Sequence, residues 1–177
     1  MRVAAVFDIH ANLPALEAVL EDLRQEEVDQ LVVGGDVLPG PMPLETIECL
    51  LRLDTPVHFV QGNGDREVLS QMEGRETDWY RASPEQWREP VRWTAQQLYP
   101  EHQRLLAGWN KTLVVAIHEL GDVLFCHSTP HETTLRYLLV SRLKIASCQF
   151  LTDSMYPSSS AVTPTCSLTG GSEALGF

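Results

Sequence analysis

This sequence predicts a layered α/β fold with parallel neighbouring strands, and three observations carry that prediction. Short apolar runs rich in β-branched residues, "RVAAVFD" and "QLVVGGD", show no polar alternation, as expected of strands buried on both faces. Each run is followed by a stretch with helical apolar spacing. The order strand, helix, strand, helix, strand then fills the N-terminal part of the chain.

The elements can be justified in order. "RVAAVFD" is the first strand, ending in Asp8. Asn12 then sits as an N-cap, and Leu13, Leu16, Val19, Leu20 and Leu23 draw one apolar helical stripe. "QLVVGGD" is the second strand, ending in Asp36. Pro39, Gly40, Pro41 and Pro43 make a rigid loop before the helical "LETIECLLRL". "PVHFVQGNGD" is a third strand closed by a Gly-Asn-Gly-Asp turn. Helical segments are expected near 66–73, 84–98 and 101–108. "KTLVVAIHEL", Gly121-Asp122 and "VLFCH" read as a hairpin with a tight turn. His58 and His118 fall within strands and read as structural, whereas His102, on a polar helix, reads as surface. Trp79, Trp87, Trp93 and Trp109 read as helix-packing core, with a substrate lid or dimer face as the other reading.

The last part of the chain differs. Residues 141–177 hold eight serines, against Ser70, Ser83 and Ser128 in everything before them. Asp153 and Glu173 balance Arg142 and Lys144 there, so the first 140 residues carry the whole formal charge of -11. The expected organisation is a domain over 1–140 and an atypical Ser/Thr-rich, partly irregular tail over 141–177.

A chain of 177 residues with 44% hydrophobic and 21% charged residues suits one globular domain. The charge of -11 argues against a broad nucleic-acid surface or an anionic-membrane surface. Metal ions can still reverse the local field and admit phosphate. No secretory leader opens the chain, and no apolar run reaches the roughly 18 residues of a membrane span. Cys49, Cys126, Cys148 and Cys166 form no CxxC pair. Reduced thiols and a cytoplasmic location are expected.

Three strands end in polar residues at equivalent places: Asp8 and His10, then Asp36, then Asn63 and Asp65. A fourth ends in His127. Ligands bind at the carboxyl ends of strands in open α/β sheets. Four such ends would gather Asp, His, Asp, Asn and His, a mixed oxygen and nitrogen set suited to Mn, Fe, Zn or Co. Taken singly, each residue has a plainer reading. Asp8 could cap a helix entry, Asp36 could be turn chemistry, Asn63 could be a turn former, and His127 could be a satisfied half-buried histidine.

Together, "DIH", "GGD", "GNGD" and "CH" resemble the ordered blocks of the calcineurin-like metallophosphoesterases, D-x-H, G-D, G-N and H. The flanks "DIHANLPALEAVL", "GDVLPGPMP" and "VQGNGDRE" are similar to the small bacterial phosphodiesterase-like branch, over roughly residues 1–130. The resemblance implies a four-layer α/β/β/α sandwich around a two-metal site. It implies that Asp8 and His10 hold one ion, that Asp36 bridges both, and that Asn63 and His127 hold the other. Many members carry a histidine after the G-N pair, and Gly64 stands there in this chain. The role of that histidine is therefore vacant or passes to a neighbour such as Asp65, which could instead cap or orient Asn63. Arg66 is a candidate for substrate phosphate, against a surface salt bridge.

The family closes its site with a G-H-x-H block. After His127 this chain has only His131, so one nitrogen ligand per metal is absent and water or His131 would have to substitute. The sandwich is thus expected to be C-terminally incomplete, as a frameshift or truncation after about residue 131 would leave it. An unpaired sheet edge would follow, to be covered by the tail or by a second copy of the chain in a homo-oligomer.

The leading expectation is a metal-dependent phosphoesterase that hydrolyses a small phosphorylated substrate, diester or monoester, with metal-activated water. The alternative is a degenerate metal- or phosphate-binding protein with little catalysis. A nucleotide-binding domain of the dinucleotide type fares poorly, since no G-x-G-x-x-G follows the first strand.

Overall fold

The structure, a computed structural model, describes residues 1–118 and 120–128. Three parallel strands, β1 (Val3–Val6), β2 (Gln30–Val33) and β3 (Val57–Phe59), lie side by side in that order. The register pairs Val6 with Val33 and Val33 with Phe59, so the three strands end level. Helix α1 (Leu13–Gln25) connects β1 to β2, and α2 (Pro43–Leu51) connects β2 to β3. After β3 come α3 (Asn63–Met72), α4 (Asp78–Ala82), α5 (Glu85–Gln97) and α6 (Pro100–Ala107). The antiparallel hairpin β4 (Thr112–Ile117) and β5 (Gly121–Cys126) ends the described chain.

Strand alternation divides the interior into two cores. Ala4, Val6, Leu31 and Val33 face the helices and pack with Leu16, Val19, Leu20, Ile47, Leu50, Val68 and Leu106. Val3, Ala5 and Val32 face the other way, into a cluster with Val60, Val115, Ile117 and Phe125. Because β1 and β2 are buried on both faces, their sequences are continuously apolar. The described residues therefore stack helices, a parallel sheet and a hairpin. The outer helical layer of the expected four, the domain boundary near 140 and the tail lie outside the described residues.

Local signals place the elements. Asn12 caps α1, its side-chain oxygen accepting from Ala15 N at 3.2 Å. Pro14 and Pro43 sit in the first turns of α1 and α2, where a missing N–H costs no helical bond. The expected helices are present, with α3 beginning earlier, at Asn63, because the Gly-Asn-Gly-Asp turn is itself the helix start.

Four details correct the sequence reading. Helix α4 was not anticipated; five residues are too few to show a period. The hairpin turns between Ile117 and Gly121 rather than at Gly121-Asp122, with Leu120 N donating to Ile117 O, so His118 lies in the turn and not in a strand. His102 is buried: its Nδ1 accepts the Tyr99 N–H at 3.1 Å and closes the start of α6. Of the tryptophans only Trp109 is core, stacked on Phe59 at 4.8 Å, whereas Trp79, Trp87 and Trp93 are more than 40% exposed.

Candidate metal centre

The three parallel strands release their chains at one edge, and there the backbone turns sharply. Asp8, His10, Ala11 and Asp36 all adopt positive φ, between 46° and 53°. That region costs a residue with a Cβ roughly 1–2 kcal/mol, and such strain persists only where surrounding structure enforces it. The enforcing contacts are visible. Asp8 N donates to Gly35 O at 3.1 Å, His10 N to Asp36 O at 3.0 Å, and Ala11 N to Val37 O at 2.7 Å. The two loops are thus zipped together beyond the ends of their strands.

Asp36 occupies the middle of this arrangement and is buried. Its Oδ1 accepts the Gly64 N–H at 2.7 Å. Its Oδ2 faces His127 Nε2 at 3.4 Å and His10 Nε2 at 3.8 Å. Asp8 and His10 are exposed, and Asp8 Oδ1 lies 3.9 Å from His10 Nε2. One ligand-capable atom each from Asp8, Asp36 and His127 falls within 4.8 Å of the others. Three strand ends thus supply two oxygens and one nitrogen to a volume of ionic size.

The His127 ring is oriented for such a role. Its Nδ1 lies 3.1 Å from the Gly34 carbonyl, which can only accept, so Nδ1 carries a proton and Nε2 is the atom turned to Asp36. Burial works against a charge on this ring. The hydrogen bond and charge of Asp36, with help from Asp8 and the Gly34 carbonyl, outweigh burial and raise its pKa to about 9. A cation between these groups would replace that proton. Close approach explains the Gly34-Gly35 pair in part: a Cβ on Gly35, at φ 106°, would come within 2.6 Å of His127 Nδ1.

The third strand end contributes differently. Asn63 opens α3, half-buried, between two glycines that lie against Asp36. At Gly64 a Cβ would collide with the Leu38 carbonyl oxygen and approach Pro39 Cδ to 3.0 Å, so the position has no room for a side chain. Asp65 is fully buried, and its carboxylate accepts N–H groups from Asp36 at 3.0 Å, Leu38 at 2.9 Å and Gly62 at 2.8 Å. Burial, and then the charge of Asp36, raise its pKa to about 7 against the pull of the Gly62 and Leu38 amides and of His127. Of its two readings, the capping one is what these contacts describe. Arg66 reaches Glu67 at 3.4 Å, and buried Glu67 also accepts from Thr77 Oγ1. His131 lies outside the described residues.

Backbone partners are what the sequence reading missed. The Gly34 carbonyl and the amides of Leu38 and Gly62 shape the site without any side chain to announce them.

Comparison with known proteins follows the same lines. The sequence pattern of the calcineurin-like phosphoesterase superfamily domain matches residues 1–145. Uncharacterized protein MJ0912 of Methanocaldococcus jannaschii is 31% identical over 139 residues, 77% of this chain and 53% of that protein. Phosphodiesterase YfcE of Escherichia coli K12 is 38% identical over 77 residues, 38% of this chain and 42% of that protein. Among solved structures, a metallophosphoesterase from Sphaerobacter thermophilus superposes with a TM-score of 0.58 at 32% identity, covering 78% of this chain and 51% of that one. Hypothetical protein PH1004 from Pyrococcus horikoshii OT3 shares the fold, with a TM-score of 0.65 at 22% identity over 79% of this chain and 60% of that one. The matches span about half the length of the curated relatives.

Proposed function

From the premise that the chain belongs to the calcineurin-like phosphoesterase superfamily, we propose that it is a metal-dependent phosphoesterase acting on a small phosphorylated substrate. The family generally uses divalent metal ions. One observation carries the reading: Asp8, Asp36 and His127 converge within 4.8 Å, with Asp8 and Asp36 on backbone held in the left-handed region. A carboxylate pair and an imidazole that turns Nε2 to them are donors suited to Mn, Fe, Zn or Co once an ion displaces the proton between His127 and Asp36.

Asp8 and His10 would hold one ion, Asn63 and His127 the other, with Asp36 shared between them. The bound ions would supply Lewis-acid activation of water and neutralise charge on the phosphate. The chain's own residues do the rest. The Gly34 carbonyl holds a proton on His127 Nδ1 and so fixes Nε2 as the nitrogen turned to the site. Gly64 N–H holds Asp36 Oδ1 and so orients Oδ2. The exposure of Asp8 and His10 leaves one side of the site open for substrate. Arg66, close to the start of α3, is a further candidate for substrate phosphate.

Hydrolysis of bis(p-nitrophenyl) phosphate with added Mn²⁺ tests the reading. The expected result is turnover that EDTA removes and Asp36→Asn abolishes. Folded protein without turnover would leave the second reading, a metal- or phosphate-binding protein with little catalysis. What favours that second reading is the sequence after His127, where His131 is the only further histidine.

A further inference from the structure

Asp36 is held on several sides. His10 N donates to its carbonyl at 3.0 Å, Gly64 N to its Oδ1 at 2.7 Å, and its own N–H is donated to Asp65 at 3.0 Å. Asp65 and Gly64 are neighbours on the first turn of α3, so helix and loop grip each other reciprocally. The helix gives an amide to the side chain of Asp36, and the loop gives the amide of Asp36 to a side chain of the helix.

Asp65 has no exposed surface, so it cannot touch a substrate. Its Oδ2 collects the Asp36 and Gly62 amides, and its Oδ1 collects that of Leu38 at 2.9 Å. A carboxylate offers about four acceptor sites, and hydrogen bonds to an ionised acceptor are roughly twice as strong as neutral ones. An amide side chain would turn an N–H₂ toward one of three converging N–H donors. The site therefore requires an acceptor on both branches. The Leu38 bond matters as much as the Asp36 bond, because it fixes the loop two residues further on and prevents the chain from pivoting about Asp36.

We propose that Asp65 is a positioning residue for Asp36: by accepting three main-chain N–H groups from two segments it locks the β2–α2 loop to the start of α3 and keeps Asp36 Oδ2 aimed at His127 and His10. The consequence for metal binding rests on the proposed metal-centre reading. The lock itself does not.

Two readouts on the whole chain separate these claims: amide hydrogen exchange of the chelated protein, and calorimetric titration with Mn²⁺. Asp65→Asn and Asp65→Ser are compared with Val91→Ala, a change in the helix-side core far in sequence from the loop. In the Asp65 variants the Asp36 and Leu38 amides should exchange faster, and Mn²⁺ affinity should fall about 10–100-fold, the usual effect of losing a residue that orients a ligand. Val91→Ala should lower stability and leave Mn²⁺ affinity unchanged. Unchanged affinity in the Asp65 variants, or an equal loss in Val91→Ala, would overturn the positioning role. Should neither Asp65 variant fold, exchange in the unsubstituted protein decides: slow Asp36 and Leu38 amides support the lock, and amides as fast as an open loop's overturn it. Absence of Mn²⁺ binding by the unsubstituted protein would refute the metal-centre reading, while the exchange data would still judge the lock.

Discussion

At the scale of single residues the protonation of two groups sets how the site responds to pH. His127, raised from an ordinary value near 6.5 to about 9, contributes stability that is full below its unfolded pKa and is lost as pH rises through about 9. Asp65, raised from 3.8 to about 7, has the same sign: burial and the charge of Asp36 favour its neutral form up to about 7, and the carboxylate that accepts all three amides is the form above it. With metal chelated, melting temperature should therefore fall as pH is raised from about 4 to about 9. On the metal-centre reading, Mn²⁺ would compete with the proton on His127 Nε2, so its stabilisation should grow over the upper part of that range. Thermal melts with EDTA and with Mn²⁺ at several pH values check this; a chelated protein that gains stability with rising pH refutes it. The convergence of Asp8, His10, Asp36 and His127 was legible in the sequence because polar residues at the ends of apolar strands stand out. The fit around Gly64, the burial of His102 and the amides around Asp65 were not legible, since each depends on a main-chain atom brought from elsewhere.

At the scale of elements, helix ends show how local chemistry and backbone agree or conflict. Helix α3 ends with Gly74 at φ 70°, the residue type that this left-handed position favours. Helix α1 places Glu27 in the equivalent position, at φ 49°. Its side chain is exposed and, among the described residues, pairs with exposed Arg2 at 4.0 Å, a pairing worth little. Glu27→Gly should therefore stabilise the protein by about 1 kcal/mol, measured by urea denaturation. A loss of stability would mean that Glu27 has a role its contacts do not reveal. Long periodic elements such as α1 and the buried β1 and β2 could be read from pattern alone. The tryptophans misled for a related reason: aromatic content suggested core, but α4 and α5 turn Trp79, Trp87 and Trp93 outward.

At the scale of the molecule, the sheet is a partition between two cores, and the smaller one attaches the hairpin. Phe125, fully buried in that core, immediately precedes the Cys126-His127 pair. Phe125→Ala should cost about 3–5 kcal/mol. Because β5 carries His127 to the Gly34 carbonyl, the same change should weaken Mn²⁺ binding, read by denaturation and titration together. Destabilisation with metal affinity intact would show that the ring is held without the second core. Among the described residues no helix is long and apolar enough to cross a membrane.

The left-handed main chain at Asp8, His10 and Asp36 has a consequence for the calorimetry of the site. Donors that the fold has already arranged require no segment to order when an ion arrives. Coordination would then be accompanied by a heat-capacity change close to zero, unlike the large negative change of a site that folds around its metal. The protein would behave toward its ions as a finished mould.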